Sequence, residues 1–233
     1  MKQALIFDLD GTLVDSLRGI AASLNRALAA SGLPNHPEPA VRGFIGNGSR
    51  ILIQRAAPPN ADEALLQQVE QAFKTDYDLT WPDGTTVYAG ITDLLESLQA
   101  CSYPLAVISN KPHPFTAAIV SRLFPTIRFA AVLGQRNGVP HKPDPAGALE
   151  ISSSLHLRPQ ECTVIGDSTM DLETASNAGM RAIAVTWGFQ DRERLMAAGA
   201  EVIADDPAGL LELVQSKGKG GLLPSHGRDV HAP

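Results

Sequence analysis

The most informative segment of this 233-residue chain is Asp8-Leu9-Asp10-Gly11-Thr12-Leu13-Val14-Asp15-Ser16. It directly follows Gln3-Ala4-Leu5-Ile6-Phe7, a short apolar run typical of a buried strand. Two carboxylates at the end of a buried strand are costly unless a cation or a charged substrate compensates them. Gly11 lets the backbone turn sharply away from the strand. An ordinary charged turn would explain an isolated Asp-Gly pair but not Asp-x-Asp-Gly-Thr, so this loop is predicted to carry chemistry.

Apolar runs that predict strands recur along the chain, and patterns typical of helices separate most of them. The predicted strands are residues 4–7, 105–108, 129–133, 163–165, 182–185 and 202–204. Strands that alternate with helices indicate an α/β fold, here a Rossmann-like parallel sheet with helices on both faces. Ligands of such sheets bind at the carboxyl ends of the strands, which is where the acidic loop is expected.

The interval from residue 16 to residue 83 breaks this alternation, because it contains helical patterning and no convincing strand. An all-helical insertion directly after the acidic loop is predicted to cover the strand ends as a cap, the alternative being helices that only pack on the sheet. The expected domains are an α/β core of residues 1–15 and 84–215 and a helical cap of residues 16–83. Residues 216–233 lack periodicity and are expected to be a flexible tail in which His226 and His231 are incidental.

Composition narrows the classes of partner. A net charge of -6 argues against nucleic acid or an anionic membrane surface. No run approaches the roughly 18 apolar residues of a membrane helix, and the amino terminus has no signal-peptide pattern. Cys101 and Cys162 are expected to be reduced thiols of a cytoplasmic protein. Whether the protein is a monomer or a homodimer is left open.

Three further polar clusters come directly after predicted strands or before a predicted helix. Ser109-Asn110-Lys111 offers a hydroxyl and backbone N–H groups that can bind a phosphate oxygen. Lys142-Pro143-Asp144-Pro145 places a fixed positive charge just before a helix. Gly166-Asp167-Ser168-Thr169-Met170-Asp171 puts two carboxylates on one helix face if a helix starts near Ser168. Each cluster alone is ordinary turn, surface or capping chemistry, whereas four in order indicate one site.

These motifs resemble those of the haloacid dehalogenase superfamily of aspartyl-nucleophile phosphatases, and most closely its phosphoglycolate phosphatase-like branch with a helical cap. The resemblance covers about residues 3–215. It implies that Asp8 is the nucleophile and Asp10 the general acid and base. It also implies that Ser109 binds the phosphoryl group and that Lys142 steadies Asp8 and the phosphate. The implied cofactor is Mg²⁺, held by Asp8, the carbonyl of Asp10, Asp167 and, in support, Asp171.

The substrate is expected to be a small phosphorylated metabolite that the cap selects. The candidate substrate-binding residues are Thr12, Asn110, Gly48 and Arg50. Arg50 or Arg42 could pair with a second anion on the substrate, which makes phosphoglycolate the leading candidate.

Two other functions are weighed against this one. A phosphosugar mutase or sugar-phosphate phosphatase is suggested by the Ser49-Arg50 pair, since a Ser-Arg pair stands in a similar place in those mutases. Those mutases generally have Val after the motif's Gly and a His in the next helix, whereas this chain has Thr12 and no His there. A catalytically silent phosphate-binding module would require a lost motif residue, and none is missing.

Overall fold

The computed structural model describes residues 3–219 and is built on a parallel sheet of six strands. Two further short strands, Val14–Asp15 and Thr86–Val87, pair with each other outside this sheet. In chain order, the strands of the described residues are β1 (Ala4–Phe7), β2 (Val14–Asp15), β3 (Thr86–Val87), β4 (Leu105–Pro112), β5 (Phe129–Gln135), β6 (Cys162–Gly166), β7 (Arg181–Val185) and β8 (Ile203–Ala204). The order in the main sheet is β5-β4-β1-β6-β7-β8, and every neighbouring pair in it is parallel. The predicted fold class is therefore confirmed.

The helices flank this sheet and fill the interval after β2. They are α1 (Leu17–Ala30), α2 (Glu38–Phe44), α3 (Gly48–Ala56), α4 (Glu63–Gly84), α5 (Ile91–Ala100), α6 (His113–Leu123), α7 (Ala146–Ser154), α8 (Thr169–Ala178), α9 (Arg192–Ala197) and α10 (Pro207–Lys219). A short 3-10 helix, Pro159–Glu161, precedes β6.

The central strand β1 is buried on both faces, which explains its uninterrupted apolar sequence. Leu5 and Phe7 pack into one hydrophobic cluster, while Ala4 and Ile6 pack into a second cluster. Because successive side chains of a strand point to opposite faces, the two clusters are the two cores that the helices cover. Asp8, the residue that follows β1, therefore lies at the middle of the sheet edge.

Strand β4 extends beyond its predicted end at residue 108. Its polar residues, Ser109 to Lys111, remain extended, and Pro112 pairs with Gln135 of β5. The prediction ended where the apolar run ended, whereas the strand continues through polar residues and an irregularity, and its pairing with β5 resumes at Pro112. Strand β4 thus carries its polar side chains to the same edge as Asp8.

The four helices α1 to α4 occupy the predicted insertion, and the apolar faces of its longest helices are turned to its interior. Leu24 and Leu28 of α1 and Val69 and Phe73 of α4 are buried. The sequence analysis missed the two-stranded antiparallel ribbon of β2 and β3, through which the chain leaves and re-enters the core. Two residues a strand are too few for an alternating pattern to be visible. That residues 16–83 act as a separate cap domain stays a prediction.

At the carboxyl end, helix α10 runs to Lys219 and so includes the first residues of the predicted tail. Residues 220–233, with His226 and His231, lie outside the described residues. Within residues 3–219 no helix is long and apolar enough to cross a bilayer. Cys101 is exposed and Cys162 is buried, and both are free thiols.

The contact between Gly19 and Gly84 joins the first and last helices of the insertion and yields a stability prediction. A Cβ on Gly84 would lie 2.5 Å from the Cα of Gly19, which is closer than side chains tolerate. We expect Gly84→Ala to destabilise the fold by about 1–3 kcal/mol through overpacking, measured by urea unfolding.

Gly43→Ala is the matched control, because nothing lies within 4 Å of a Cβ built at Gly43 in α2. It should be neutral or stabilise by up to about 1 kcal/mol, since alanine is the better helix former. Equal losses in both variants would contradict the close contact of α1 and α4.

Candidate active site

Asp8 lies at the carboxyl end of β1 with a lysine on one of its oxygens. The Nζ of Lys142 is 2.9 Å from Asp8 Oδ1 and 2.7 Å from Asp171 Oδ1. The backbone N–H of Leu9 also donates to Asp8 Oδ1, at 2.7 Å. One buried ammonium therefore holds two carboxylates, one directly after β1 and one in the first turn of α8.

The position of Lys142 is fixed by the side chain of Asn110. Asn110 Oδ1 accepts from the backbone N–H of Lys142 at 2.8 Å, and Asn110 Nδ2 donates to the Lys142 carbonyl at 3.1 Å. The same Nδ2 donates to the Gly46 carbonyl at 3.0 Å. Asn110, a predicted substrate-binding residue, lines the cleft, but its amide is used to join the lysine loop, β4 and the insertion.

Three buried carboxylates, those of Asp8, Asp167 and Asp171, bring oxygen atoms within 4.8 Å of one another. Asp171 stands at the third position of α8, where it accepts from the backbone N–H and hydroxyl of the N-cap residue Ser168, at 3.1 and 2.6 Å. The helix thus starts where the sequence predicted, and Asp171 and Asp167 face the same point.

Asp167 is packed so closely that its neighbours must be glycine. A Cβ on Gly11, where φ is +90°, would lie 2.3 Å from Asp167 Oδ2. A Cβ on Gly188 would lie 2.3 Å from Asp167 Cβ. The backbone N–H of Phe189 donates to Asp167 Oδ2 at 2.6 Å. On this side, backbone atoms of Gly11, Gly188 and Phe189 therefore enclose the carboxylate.

Burial makes negative charge costly here and shifts the ionisation of both carboxyl groups. It raises the pKa of Asp8 to about 8, with Asp171 and Asp167 adding to the rise and Lys142 opposing it. Burial likewise raises the pKa of Asp167 to about 7, with Asp171 adding to it. Burial opposes the charge on Lys142, but Asp171 and Asp8 outweigh it and hold the pKa of that lysine above its usual range. The cluster therefore has more negative charge than its lysine balances.

The residues present fit a divalent cation. The site gathers four carboxylates, from Asp8, Asp10, Asp167 and Asp171, against the two lysines Lys111 and Lys142. Two negative charges are left over, and carboxylate oxygens are the ligands that Mg²⁺ prefers. The donor set and the charge both match the predicted cofactor.

Asp10 is held on the opposite side of the loop by a residue to which the sequence analysis assigned no role. Lys111 Nζ lies 2.8 Å from Asp10 Oδ1 and 3.0 Å from Oδ2, and the hydroxyl of Ser16 donates to Oδ1 at 2.5 Å. Burial opposes the charge on Lys111, but Asp10 outweighs it and raises the pKa of Lys111 above its usual range. The position of Lys111, two residues after Ser109 at the end of a strand, is the sequence feature that could have indicated a role in the site.

A cleft between the sheet edge and the insertion opens onto this site. Its core side carries Asp8, Asp10, Ser109 and both lysines, and its insertion side is mostly apolar. The apolar residues there include Ile20, Ile45, Leu52, Phe73 and Tyr77. The cleft thus combines a charged floor with an apolar roof that keeps water from the reacting groups.

Gly48, a predicted substrate-binding residue, lines the cleft at a point where a side chain would not fit. Its φ is +82°, and a Cβ would lie 2.9 Å from His141 Nε2 and 3.3 Å from the carbonyl oxygen of Asn110. The backbone of the insertion therefore approaches the core directly at this point.

Two other predicted substrate contacts, Thr12 and Arg50, lie outside the cleft lining and stay predictions. Thr12 is fully buried outside the cleft lining, and its hydroxyl donates to Asp167 Oδ1 at 3.0 Å. Arg50 is also outside the cleft lining, because it forms an ion pair with Glu63. Arg42, the alternative, donates to the carbonyls of Phe189 and Gly188 at 2.6 and 2.7 Å. The side chains of Thr12, Arg50 and Arg42 are thus each engaged by other groups of the protein.

Comparison with known proteins identifies relatives of this arrangement. The family model described as haloacid dehalogenase-like hydrolase matches residues 5–185. A phosphoglycolate phosphatase from Pectobacterium atrosepticum is 33% identical over 215 residues, which are 91% of this chain and 92% of that protein.

Solved structures agree. A crystal structure titled a predicted phosphoglycolate phosphatase from Haemophilus somnus 129PT has a TM-score of 0.86 and 30% identity, covering 92% of this chain and 98% of the other. A haloacid dehalogenase-like hydrolase from Streptococcus pneumoniae has a TM-score of 0.83 and 27% identity, covering 92% and 99%. The likeness extends over both the sheet and the insertion.

We expect Mg²⁺ to stabilise the protein more strongly as the pH rises. Because the pKa values of Asp8 and Asp167 are raised on folding, the folded protein keeps protons that the unfolded chain has already lost. The stability contributed by these groups is full below about pH 4 and is lost as the pH rises through about 7 to 8. Mg²⁺ competes with those protons, so the magnesium-induced rise in melting temperature should grow from about pH 5 to about pH 8.

Asp167→Asn should lose most of this magnesium-induced rise, while its metal-free melting temperature stays at or above that of the wild type because a repelled charge is gone. Asp205→Asn, which alters an exposed ion pair with Arg192, is the matched control and should keep the full rise. A rise that is independent of pH, or that Asp167→Asn retains, would contradict a metal site at these carboxylates.

Proposed function

The chain belongs to the haloacid dehalogenase-like hydrolase family and is a phosphatase, and we propose that it hydrolyses a phosphomonoester through a phosphoryl group carried transiently on Asp8. The observation that carries this proposal is the buried carboxylate of Asp8, held at 2.9 Å by Lys142 at the floor of the cleft. Ser109 lines the same floor with its hydroxyl. A nucleophile, a cation and a hydroxyl donor thus face one small space.

The phosphate of the substrate binds between Lys142 and the Ser109 hydroxyl. When bound, Mg²⁺ held by Asp8, the carbonyl of Asp10, Asp167 and Asp171 supplies positive charge that offsets the repulsion between carboxylate and phosphate. Lys142 supplies a second, permanent positive charge on the same oxygen of Asp8. These charges favour the transition state over the free reactants.

In the first half-reaction an oxygen of Asp8 attacks phosphorus, and the bond from phosphorus to the ester oxygen breaks. The carboxyl group of Asp10 gives a proton to the departing alkoxide. In the second half-reaction the carboxylate of Asp10 takes a proton from water, which attacks phosphorus and breaks the bond to Asp8. Inorganic phosphate leaves and both aspartates return to their starting state. Ser16 and Lys111 hold the Asp10 carboxyl in place for both transfers.

Phosphoglycolate is the substrate that we propose first. The support is that relatives about a third identical over nine-tenths of this chain bear the name phosphoglycolate phosphatase. A short substrate also suits a cleft whose floor and roof are in direct contact at Gly48. Residues 16–83 would act as the cap that selects it.

The aspartate roles predict distinct defects with p-nitrophenyl phosphate, a substrate whose leaving group needs little help from an acid. The wild type should turn over with Mg²⁺ and stop with EDTA. Asp8→Asn should abolish turnover. Asp10→Asn should still release p-nitrophenol in an initial burst. Its steady-state turnover should be about 10²–10⁴-fold slower than that of the wild type, since no base then activates water.

Asp93→Asn, on the exposed face of α5, is the matched control and should retain wild-type turnover. Circular dichroism checks that each variant folds. Full activity in Asp8→Asn, or a wild-type rate that survives EDTA, would overturn the proposal.

A further inference from the structure

Lys111 is the cation of the cleft that could meet an anionic group of the substrate other than its phosphate. Among the described residues that line the cleft, the cationic side chains are Lys111 and Lys142. Lys142 is bound to Asp8 and Asp171 on the phosphate side of the site. Lys111 follows Ser109 on β4 by two residues, roughly 7 Å along an extended strand. Both residues line the cleft, so the Lys111 ammonium shares this space with the proposed phosphate position.

Other polar side chains on the cleft wall are already occupied. Ser49 donates to Glu70 at 2.7 Å, and the Asn110 amide is shared between Gly46 and Lys142. The two arginines of the insertion that suggested a second-anion site, Arg42 and Arg50, are paired away from the cleft. Arg50 Nη1 has no hydrogen-bond partner among the described residues, but Arg50 does not line the cleft.

Tyr77 of α4 covers Lys111 and carries an unmet hydrogen-bonding group. Its ring centroid lies 4.7 Å from Lys111 Nζ, and its side chain is buried at the cleft wall. The ring is held by Phe73, stacked at 5.5 Å, and by Phe115, edge-on at 5.5 Å. Its hydroxyl has no hydrogen-bond partner among the described residues. Buried hydroxyls are normally paired, so this position lacks an acceptor.

We propose that Lys111 and Tyr77 together form the subsite for a carboxylate on the substrate, which makes the substrate class the phosphate monoester of a short hydroxy acid. An ammonium has three N–H donors: two contact Asp10, and the third is on the side of Tyr77, where a substrate carboxylate would accept from it. The Tyr77 hydroxyl supplies the second donor. Lys111 comes from the core and Tyr77 from the insertion, so a carboxylate between them would hold the two parts together over the phosphate.

This inference rests on the proposed phosphatase function and predicts a change of selectivity rather than of rate alone. The test compares kcat/KM for phosphoglycolate with that for 2-hydroxyethyl phosphate, a neutral ester of nearly the same size. The wild type should prefer phosphoglycolate. Lys111→Met should lower that preference about 10–100-fold, and Tyr77→Phe, which keeps the ring, should lower it about 3–10-fold.

Selectivity separates this role from mere positioning of Asp10. If Lys111 only orients Asp10, Lys111→Met slows both esters equally and the preference is unchanged, which would overturn the proposal. Arg50→Gln is the matched control for a lost cation in the insertion and should keep the wild-type preference. Lys111→Gln repeats the test with a polar side chain if Lys111→Met fails to fold.

A binding measurement keeps the inference testable without turnover. Titration of the magnesium-loaded protein with phosphonoacetate and with methylphosphonate should show a preference for phosphonoacetate in the wild type that Lys111→Met loses. Equal affinity for both phosphonates in the wild type would overturn the carboxylate subsite. Absence of hydrolysis of either ester, with the phosphonoacetate preference intact, would instead count against the proposed function alone.

Discussion

The ion pair of Lys142 with Asp8 and Asp171 is the contact on which the rest of the site depends. It lies at the centre of the sheet edge, with the lysine side chain only 3% exposed. A buried carboxylate without a partner is strongly destabilising, so this lysine makes the neighbouring strand ends β1 and β6 compatible with the charges they carry. Asn110 extends the constraint to β4 by fixing the backbone of Lys142. Through its ammonium and its backbone, Lys142 thus joins the end of β1, the first turn of α8 and β4.

The ion pair with Lys142 leaves the carboxylate cluster with an excess of negative charge. This excess is the basis of the chemistry of the site. The lysine neutralises part of the carboxylate cluster, so the folded chain retains protons or binds a cation to compensate for the rest. Burial beneath the helical insertion strengthens both effects, because electrostatic interactions are larger where water is excluded. The insertion is held against the core by short contacts, such as Arg42 to Gly188 and Asn110 to Gly46. The stability of the fold and the reactivity of the site therefore both depend on the excess negative charge of the buried carboxylates.

The sequence predicted the features that depend on neighbouring residues along the chain. The six strands of the sheet, the helical insertion and the start of α8 at Ser168 all follow from local patterns, and the structure confirms them. The ribbon of β2 and β3 escaped notice because each strand is two residues long. Lys111 was overlooked because its partner Asp10 lies 101 residues away in sequence. The ion pair of Arg50 with Glu63 was not predicted either, since an arginine near a glycine-rich segment gives no sign that Glu63 will bind it.

The covalent step at Asp8 is the central claim, and acid-quenched single turnover of the Asp10→Asn protein with radiolabelled phosphate ester tests it most directly. Slow hydrolysis in this variant should let the phosphoryl-enzyme accumulate. The account predicts a hydroxylamine-sensitive label that peptide mapping places on Asp8. A label on another residue, or free phosphate released with no labelled protein at any time point, would contradict it.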